Sequence, residues 1–517
     1  MNVPMRVDDV FRSAAREAGD AVQLLLADGT EITYAQTYER AARLAGALVS
    51  AGVRKDDRVA GLMRNSREIV EFYIACGLAG VIGVAINAMS TEREVDRILA
   101  DCGASAIMVE ARLLERVVSC PQVAGMGLRI VTRQERVPLG WEAYDAWIAR
   151  SKPIERRDGT SPDDPAMMIY SSGTTGAPKG ILLRHSALVL NARMTSGVLG
   201  TGSTDRYLAI LPMFSSFGHA FDFLQAGLVR ASTVIMEQFD ERVAVDCVER
   251  LRVTFIAGVP TMFARMFDPA NIAGRDISSL RLIDVGGGPV APRLKQLLHD
   301  DYGLEVVESY GLTEISPVAS VQPPGGDNAI GSCGAPLPGI EVRVIALDGT
   351  PASTGEAGEL QFRSPTLMIG YWNQPEATAA ALRDGWLRSG DVGKLDERGH
   401  IHILDRTKDM IISNGFNVYP KEVENVIAEL PGVQSVAVVG VPHEISGELI
   451  HAFVVASPDV RLNEEEVLRH CTRALASFKR PKRVTFVDAM PLTGSGKIRR
   501  VALRELLASE HMSGKKK

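Results

Sequence analysis

Cysteine is scarce and scattered. The chain has six in 517 residues, Cys76, Cys102, Cys120, Cys247, Cys333 and Cys471, with no C-x-x-C pair. That spacing excludes a disulfide-framed secreted scaffold and fits reduced thiols in a cytoplasmic enzyme. Neither sign of charge dominates. The formal net charge is -6, so no general attraction to nucleic acid or anionic lipid is expected, and a small anionic ligand needs a local basic site. Long apolar runs are also missing. Residues 72–86 are apolar but fall short of the ~20 residues of a membrane span, and they carry Gly77, Gly80 and Gly83. A buried helix and strand are expected there, without membrane insertion. Residues 1–10 show neither an apolar core nor a cleavage pattern, so no secretory signal is expected. Internal repeats and low-complexity linkers are absent.

With 46% hydrophobic and 23% charged residues, the composition is that of a globular protein of more than one domain. Short apolar runs at 128–131, 207–211, 233–236, 255–259 and 282–285 alternate with helical patterns, which predicts parallel sheets covered by helices. From about Glu341, short strands and the turns Asp348-Gly349, Asp384-Gly385 and Arg398-Gly399 predict a β-rich subdomain. Beyond Asp405 the spacing predicts helices over 422–430 and 464–475 and strands over 433–439 and 450–455. The expected fold is α/β. A large N-terminal domain (1–404) of parallel and mixed sheets covered by helices, plus the β-rich subdomain, is followed by a short hinge (405–409) and a small C-terminal α+β domain (410–517).

The sharpest local signal is Tyr170-Ser-Ser-Gly-Thr-Thr-Gly-Ala-Pro-Lys-Gly180. Its glycines, Gly173 and Gly176, let backbone amides approach an anion, while Ser171, Ser172, Thr174, Thr175 and Lys179 supply further donors. That set suits a polyphosphate. It is not the G-x-x-x-x-G-K-[ST] loop, because Pro178 stands where the second glycine belongs.

The full string resembles the signature of the adenylate-forming superfamily, which includes acyl-CoA synthetases, luciferases of the firefly type and adenylation domains of peptide synthetases. Five further segments resemble the family's motifs in order: Gly286-Gly287-Gly288-Pro289 its adenine-side loop, Tyr310-Gly-Leu-Thr-Glu314 its second nucleotide motif, and Ser389-Gly390-Asp391 its ribose motif. Asp405-Arg-Thr-Lys-Asp409 resembles its hinge motif and Pro491-Leu-Thr-Gly-Ser-Gly-Lys497 its C-terminal catalytic motif.

The resemblance implies an AMP-forming carboxylic acid:CoA ligase that uses ATP, Mg²⁺ and coenzyme A. Lys497, Thr174, Lys179 and Glu314 would be catalytic, with Glu314 as the Mg²⁺ ligand. Tyr310 offers a flat face for adenine and Thr313 a hydroxyl for phosphate, beside Gly311. Asp391 and Arg406 can fix the ribose from two sides. The C-terminal domain would be mobile, turning about Lys408. The basic stretch Ser477-Phe-Lys-Arg-Pro-Lys-Arg483, with Lys479, could meet CoA phosphates, and Gly415 in Ser413-Asn-Gly-Phe-Asn417 could admit pantetheine.

Two positions depart from the family's pattern. Phe416 replaces an acidic residue, and Ser215 stands where many CoA ligases carry histidine, with His219 four positions later. The acid pocket is expected from Phe214, Ser215, Phe217, Gly258, Val259, Gly286 and Gly311. None is cationic, which favours an apolar monocarboxylic acid, whether fatty, alicyclic or aromatic. Two other readings stay open: an adenylating enzyme that loads an acyl carrier protein, and a silent binding protein of this fold. A homodimer is plausible by analogy. Other chemistries find no support in the sequence. His443-Glu444 lacks the second histidine of a zincin because Gly447 occupies its place, and no G-x-S-x-G elbow occurs. His400 and His402 alternate along an apparent strand and are expected to be exposed.

Overall fold

The computed structural model describes residues 5–134, 136–171, 179–288, 290, 292–326, 328, 331–346, 348–406, 409–413, 416–443, 446–457, 460, 462–493 and 497–514. These residues form four sheets. The first has eight strands in the order Val318–Val321, Glu305–Gly311, Leu282–Gly286, Phe255–Gly258, Arg206–Ala209, Ser232–Ile235, Val22–Leu26 and Glu31–Thr33. Its interior pairs are parallel, and antiparallel pairing occurs only with the two edge strands. All five residues of Leu282–Gly286 are buried, as expected of a parallel strand covered on both faces.

The second sheet, also of eight strands, runs Gly370–Tyr371, Lys179–Arg184, Pro165–Ser171, Ile82–Ile86, Arg58–Leu62, Ala106–Glu110, Leu128–Thr132 and Glu142–Ala143. Residues 72–86 are buried throughout, in the helix Arg67–Ala79 and the strand Ile82–Ile86. The Ser66 hydroxyl caps that helix at Ile69 N, and Gly80, at φ +64°, ends it in the left-handed conformation. Among the described residues no helix is long and apolar enough to cross a membrane. All six cysteines are buried thiols.

The third sheet is antiparallel: Glu341–Ile345, Gly358–Arg363, Trp386–Leu395 and Leu382–Arg383, with Ile401–Arg406 on the long strand. Asp384 and Gly385, with φ of 53° and 78°, close the Arg383–Trp386 hairpin. Two positive φ values match the twist of the flanking strands. The fourth sheet joins Phe416–Val418, Ile411–Ser413, Gly447–Ala456, Val433–His443 and Arg483–Phe486. Helices Pro420–Ala428 and Glu464–Ala474 pack on it around a core of its own, which includes Val423, Ile427, Val438, Val454, Val467 and Cys471. The α/β expectation holds, and the parallel strand Arg483–Phe486 is an addition to it.

Candidate active site

Strand Pro165–Ser171 folds back antiparallel on Lys179–Arg184, which pairs Ser171 with Lys179. The hydroxyl-rich connection with Ser172, Gly173, Thr174, Thr175 and Gly176 lies outside the described residues, as do Pro289, Lys408 and Gly415. Lys179 emerges at the loop's end with its Nζ 4.7 Å from the centre of the Tyr371 ring, a cation–π distance. Tyr371 arrives there because Gly370–Tyr371 pairs with the Lys179 strand. Its hydroxyl donates to Glu314 Oε1 at 3.0 Å. Burial, reinforced by the Glu314 charge, pushes the phenol up, so it stays protonated and remains a donor.

The second cluster gathers around Tyr310, at the end of strand Glu305–Gly311. The Tyr310 hydroxyl donates to Asp391 Oδ2 at 2.6 Å. Asp391 is buried, its N–H bonds the Ser389 hydroxyl, and it stands opposite Arg406 across two antiparallel strands. The Thr313 and Ser216 hydroxyls meet at 2.8 Å. Gly311 sits so close to Pro317 that an added Cβ would lie 1.9 Å from its carbonyl oxygen, so no other residue fits.

The third cluster brings the C-terminal segment to Gly287. A Cβ built on Gly287 would lie 3.3 Å from Lys497 Cε, 3.8 Å from its Nζ and 3.4 Å from Val259 Cγ1. Lys497, Val259 and Gly287 therefore adjoin, and Gly288 follows at once. A Cβ on Gly286 would come within 3.0 Å of the Phe217 ring. Gly258 faces elsewhere, with its open side toward Ile210 and Phe263. Phe214 is buried. Ser215 turns its hydroxyl onto its own turn, donating to Pro212 O at 2.7 Å and accepting from Gly218 N at 3.2 Å.

His219 does not stand in for the histidine that Ser215 replaces. It is buried against Tyr73 and Phe223, and burial drives its imidazole down to about 3. Lys479 is tied to Glu422. His400 and His402 depart from expectation: both are half-buried beside Asp396, with His402 Nε2 3.1 Å from its Oδ2. The turn after Leu395 folds the carboxylate back onto that strand. Sequence reasoning missed Tyr371 and Ser216, whose only signal is nearness in the folded chain.

These clusters join Lys179 with Tyr371 and Glu314, Tyr310 with Asp391, and Lys497 with Gly287 and Val259. The chain belongs to the AMP-binding enzyme family, whose description matches residues 11–372, with the family's C-terminal domain matching 422–497. Within it, the chain is an adenylate-forming acid–thiol ligase of the acyl-CoA synthetase branch. It is 40% identical over 475 residues to a feruloyl-CoA synthase of an Amycolatopsis species, covering 91% of this chain and 93% of that one. It is 35% identical to an indoleacetate–CoA ligase of Aromatoleum aromaticum, covering 92% and 94%. The solved structure of the anthranilate CoA ligase AuaEII with anthranoyl-AMP matches with a TM-score of 0.91 at 28% identity, covering 99% of both chains.

Proposed function

We propose that the protein joins an apolar monocarboxylic acid to coenzyme A through an acyl-adenylate made from ATP, and that Lys497 drives the first step. The observation that carries this reading is the contact of Lys497 with Gly287. A substrate carboxylate oxygen attacks the α-phosphorus, the bond to the bridging oxygen breaks, and pyrophosphate leaves. Two anions meet in this step and charge builds at phosphorus, so a fixed ammonium lowers the barrier. Thr174, Lys179 and the neighbouring hydroxyls would hold the departing phosphates. Mg²⁺ keeps much of its shell from water and phosphate oxygen, so one carboxylate suffices. Glu314, held by Tyr371, fits that role. Asp391 and Arg406 would take the ribose hydroxyls, with Tyr310 steadying Asp391 and presenting its face to adenine.

In the second step the CoA thiol attacks the acyl carbon and AMP leaves. Lys497 must then clear the cleft. We assign the turn to Lys408. Asp409 accepts from Arg504 at 3.1 Å within the C-terminal domain, while Asp405 accepts from Lys421 N at 3.0 Å across the hinge, a bond that the rotation must break. A few backbone dihedrals at such a residue can absorb a domain rotation. Rotation would present Lys479 and Gly415 to CoA. Phe214, Phe217 and Val259 supply apolar walls. The names of the feruloyl, indoleacetate and anthranilate enzymes support an aromatic acid with CoA as acceptor, beside relatives at 34% identity named for fatty acids, one of them with an acyl carrier protein as acceptor. Incubation with ATP, free CoA and a panel of acids, with chromatographic detection of acyl-CoA, tests this. Thioester formed only on a carrier protein, or with no acid at all, contradicts it.

A further inference from the structure

Helix Glu92–Cys102 stops at Gly103, which takes the left-handed conformation at φ +57°. The last carbonyls of a helix find no partner within it and need donors from elsewhere. Side chains of two distant elements supply them. Arg58 donates to Cys102 O at 2.7 Å and to Gly103 O at 2.8 Å, and Trp372 Nε1 donates to Asp101 O at 3.1 Å. The Arg58 guanidinium also lies 5.3 Å from the centre of the Trp372 ring. A cation suits this end of a helix, whereas the Asp101 carboxylate, in the last turn, opposes the helix dipole. That carboxylate has a specific partner. It accepts from the Tyr170 hydroxyl at 2.5 Å. Burial, reinforced by this hydrogen bond, pushes the phenol up, so it stays a donor.

Both contacts of Asp101 reach the two strands that flank residues 172–178. Tyr170 pairs with Gly180 across those strands, one step before Ser171 pairs with Lys179. A Cβ built on Gly180 would lie 3.1 Å from the Tyr170 ring, so the ring rests against the facing backbone. Trp372 N donates to Gly180 O at 2.7 Å. Its neighbour Tyr371 is the residue that lies against Lys179 and donates to Glu314. The helix end therefore holds one strand through the Asp101 carboxylate, by way of Tyr170, and the other through the Asp101 carbonyl, by way of Trp372. A helix end with only a packing role would favour a basic or neutral residue at this place.

We propose that Asp101 is a positioning residue for adenylation: through Tyr170 it fixes the strand that enters the hydroxyl-rich connection, so that Lys179 and Tyr371 are held in register to meet the polyphosphate of ATP. This rests on the ligase reading above. The role ends with the first half-reaction, because the β- and γ-phosphates leave as pyrophosphate before the thiol attacks. Groups fixed in advance spare the ordering that binding and reaction otherwise require.

The test compares Asp101→Ala, Asp101→Asn and Tyr170→Phe in two assays, acid-dependent pyrophosphate release with varied Mg–ATP and thiolysis of a supplied acyl-adenylate. Loss of one hydrogen bond to a charged group should lower kcat/KM for Mg–ATP roughly tenfold in the Ala and Phe variants. Thiolysis should keep its wild-type rate. The double variant of Asp101→Ala with Tyr170→Phe should fall no further than either alone, because both remove the same bond. Asp101→Asn should recover part of the loss, since its amide oxygen still accepts from the phenol. Wild-type kcat/KM in the Ala and Phe variants, equal loss in both half-reactions, or additive losses in the double variant overturns the assignment and leaves the contact structural. If Asp101→Ala fails to fold, Tyr170→Phe, which removes a single oxygen, decides by the same split between half-reactions. A wild type that releases no pyrophosphate with any acid overturns the ligase reading, and the proposal with it.

Discussion

Tyr371→Phe isolates one hydrogen bond in the proposed adenylation site. The substitution keeps the ring that lies 4.7 Å from Lys179 Nζ and removes only the hydroxyl donated to Glu314 Oε1 at 3.0 Å. A hydrogen bond to a charged group contributes about 1.5–3 kcal/mol. Glu314 is half-buried, so the lower end applies, and ~1.5 kcal/mol corresponds to roughly tenfold in rate. Tyr371→Leu also removes the cation–π contact, worth a further ~0.5–1 kcal/mol or roughly two- to fivefold. The assay is pyrophosphate release at saturating acid with varied Mg–ATP, beside thiolysis of a supplied acyl-adenylate. Adenylation should fall in the order wild type, Phe, Leu, and thiolysis should not change. Paired with Glu314→Ala, the Phe substitution should cost little more, because both remove the same bond. Wild-type adenylation by the Phe variant, or equal loss in both half-reactions, refutes the reasoning.

Lys497→Ala should lose most adenylate formation yet still convert supplied acyl-adenylate to thioester, and equal loss in both steps counts against its role at phosphorus. Asp391→Ala should chiefly weaken ATP, since it removes the ribose acceptor and the partner of Tyr310; an unchanged apparent ATP affinity would show the assignment to be wrong. Lys408→Pro fixes φ near -65°. It should keep single-turnover pyrophosphate release and lose thioester formation, and stopped-flow measurement of an undiminished second step would remove Lys408 from the mechanism.

Much of the fold is legible because its signals are local. The apolar runs at 255–259 and 282–285 become adjacent parallel strands, and Asp384-Gly385 becomes a two-residue hairpin turn. Strand Arg483–Phe486 escapes notice because it follows a basic stretch and buries only Val484 fully. Its pairing with Gly447–Ala456 is set by tertiary packing. The site divides in the same way. Motif residues announce themselves through type and order, but Tyr371 meets Glu314 across 57 positions and Ser216 meets Thr313 across 97. No local pattern encodes those meetings. His402 shows the limit within one strand: alternation marks the strand, but its exposure depends on Asp396 folding back at the preceding turn.

The central claim is that activation passes through an acyl-adenylate, and isotope transfer tests it most directly. The enzyme is given ATP, CoA and an aromatic acid labelled with ¹⁸O in both carboxylate oxygens, and the products are weighed by mass spectrometry. Attack of carboxylate on the α-phosphorus leaves one labelled oxygen on AMP when the thiol displaces it, so the account predicts singly labelled AMP in step with acyl-CoA. Label in inorganic phosphate with ADP as the nucleotide product, or acyl-CoA formed beside unlabelled AMP, would contradict it.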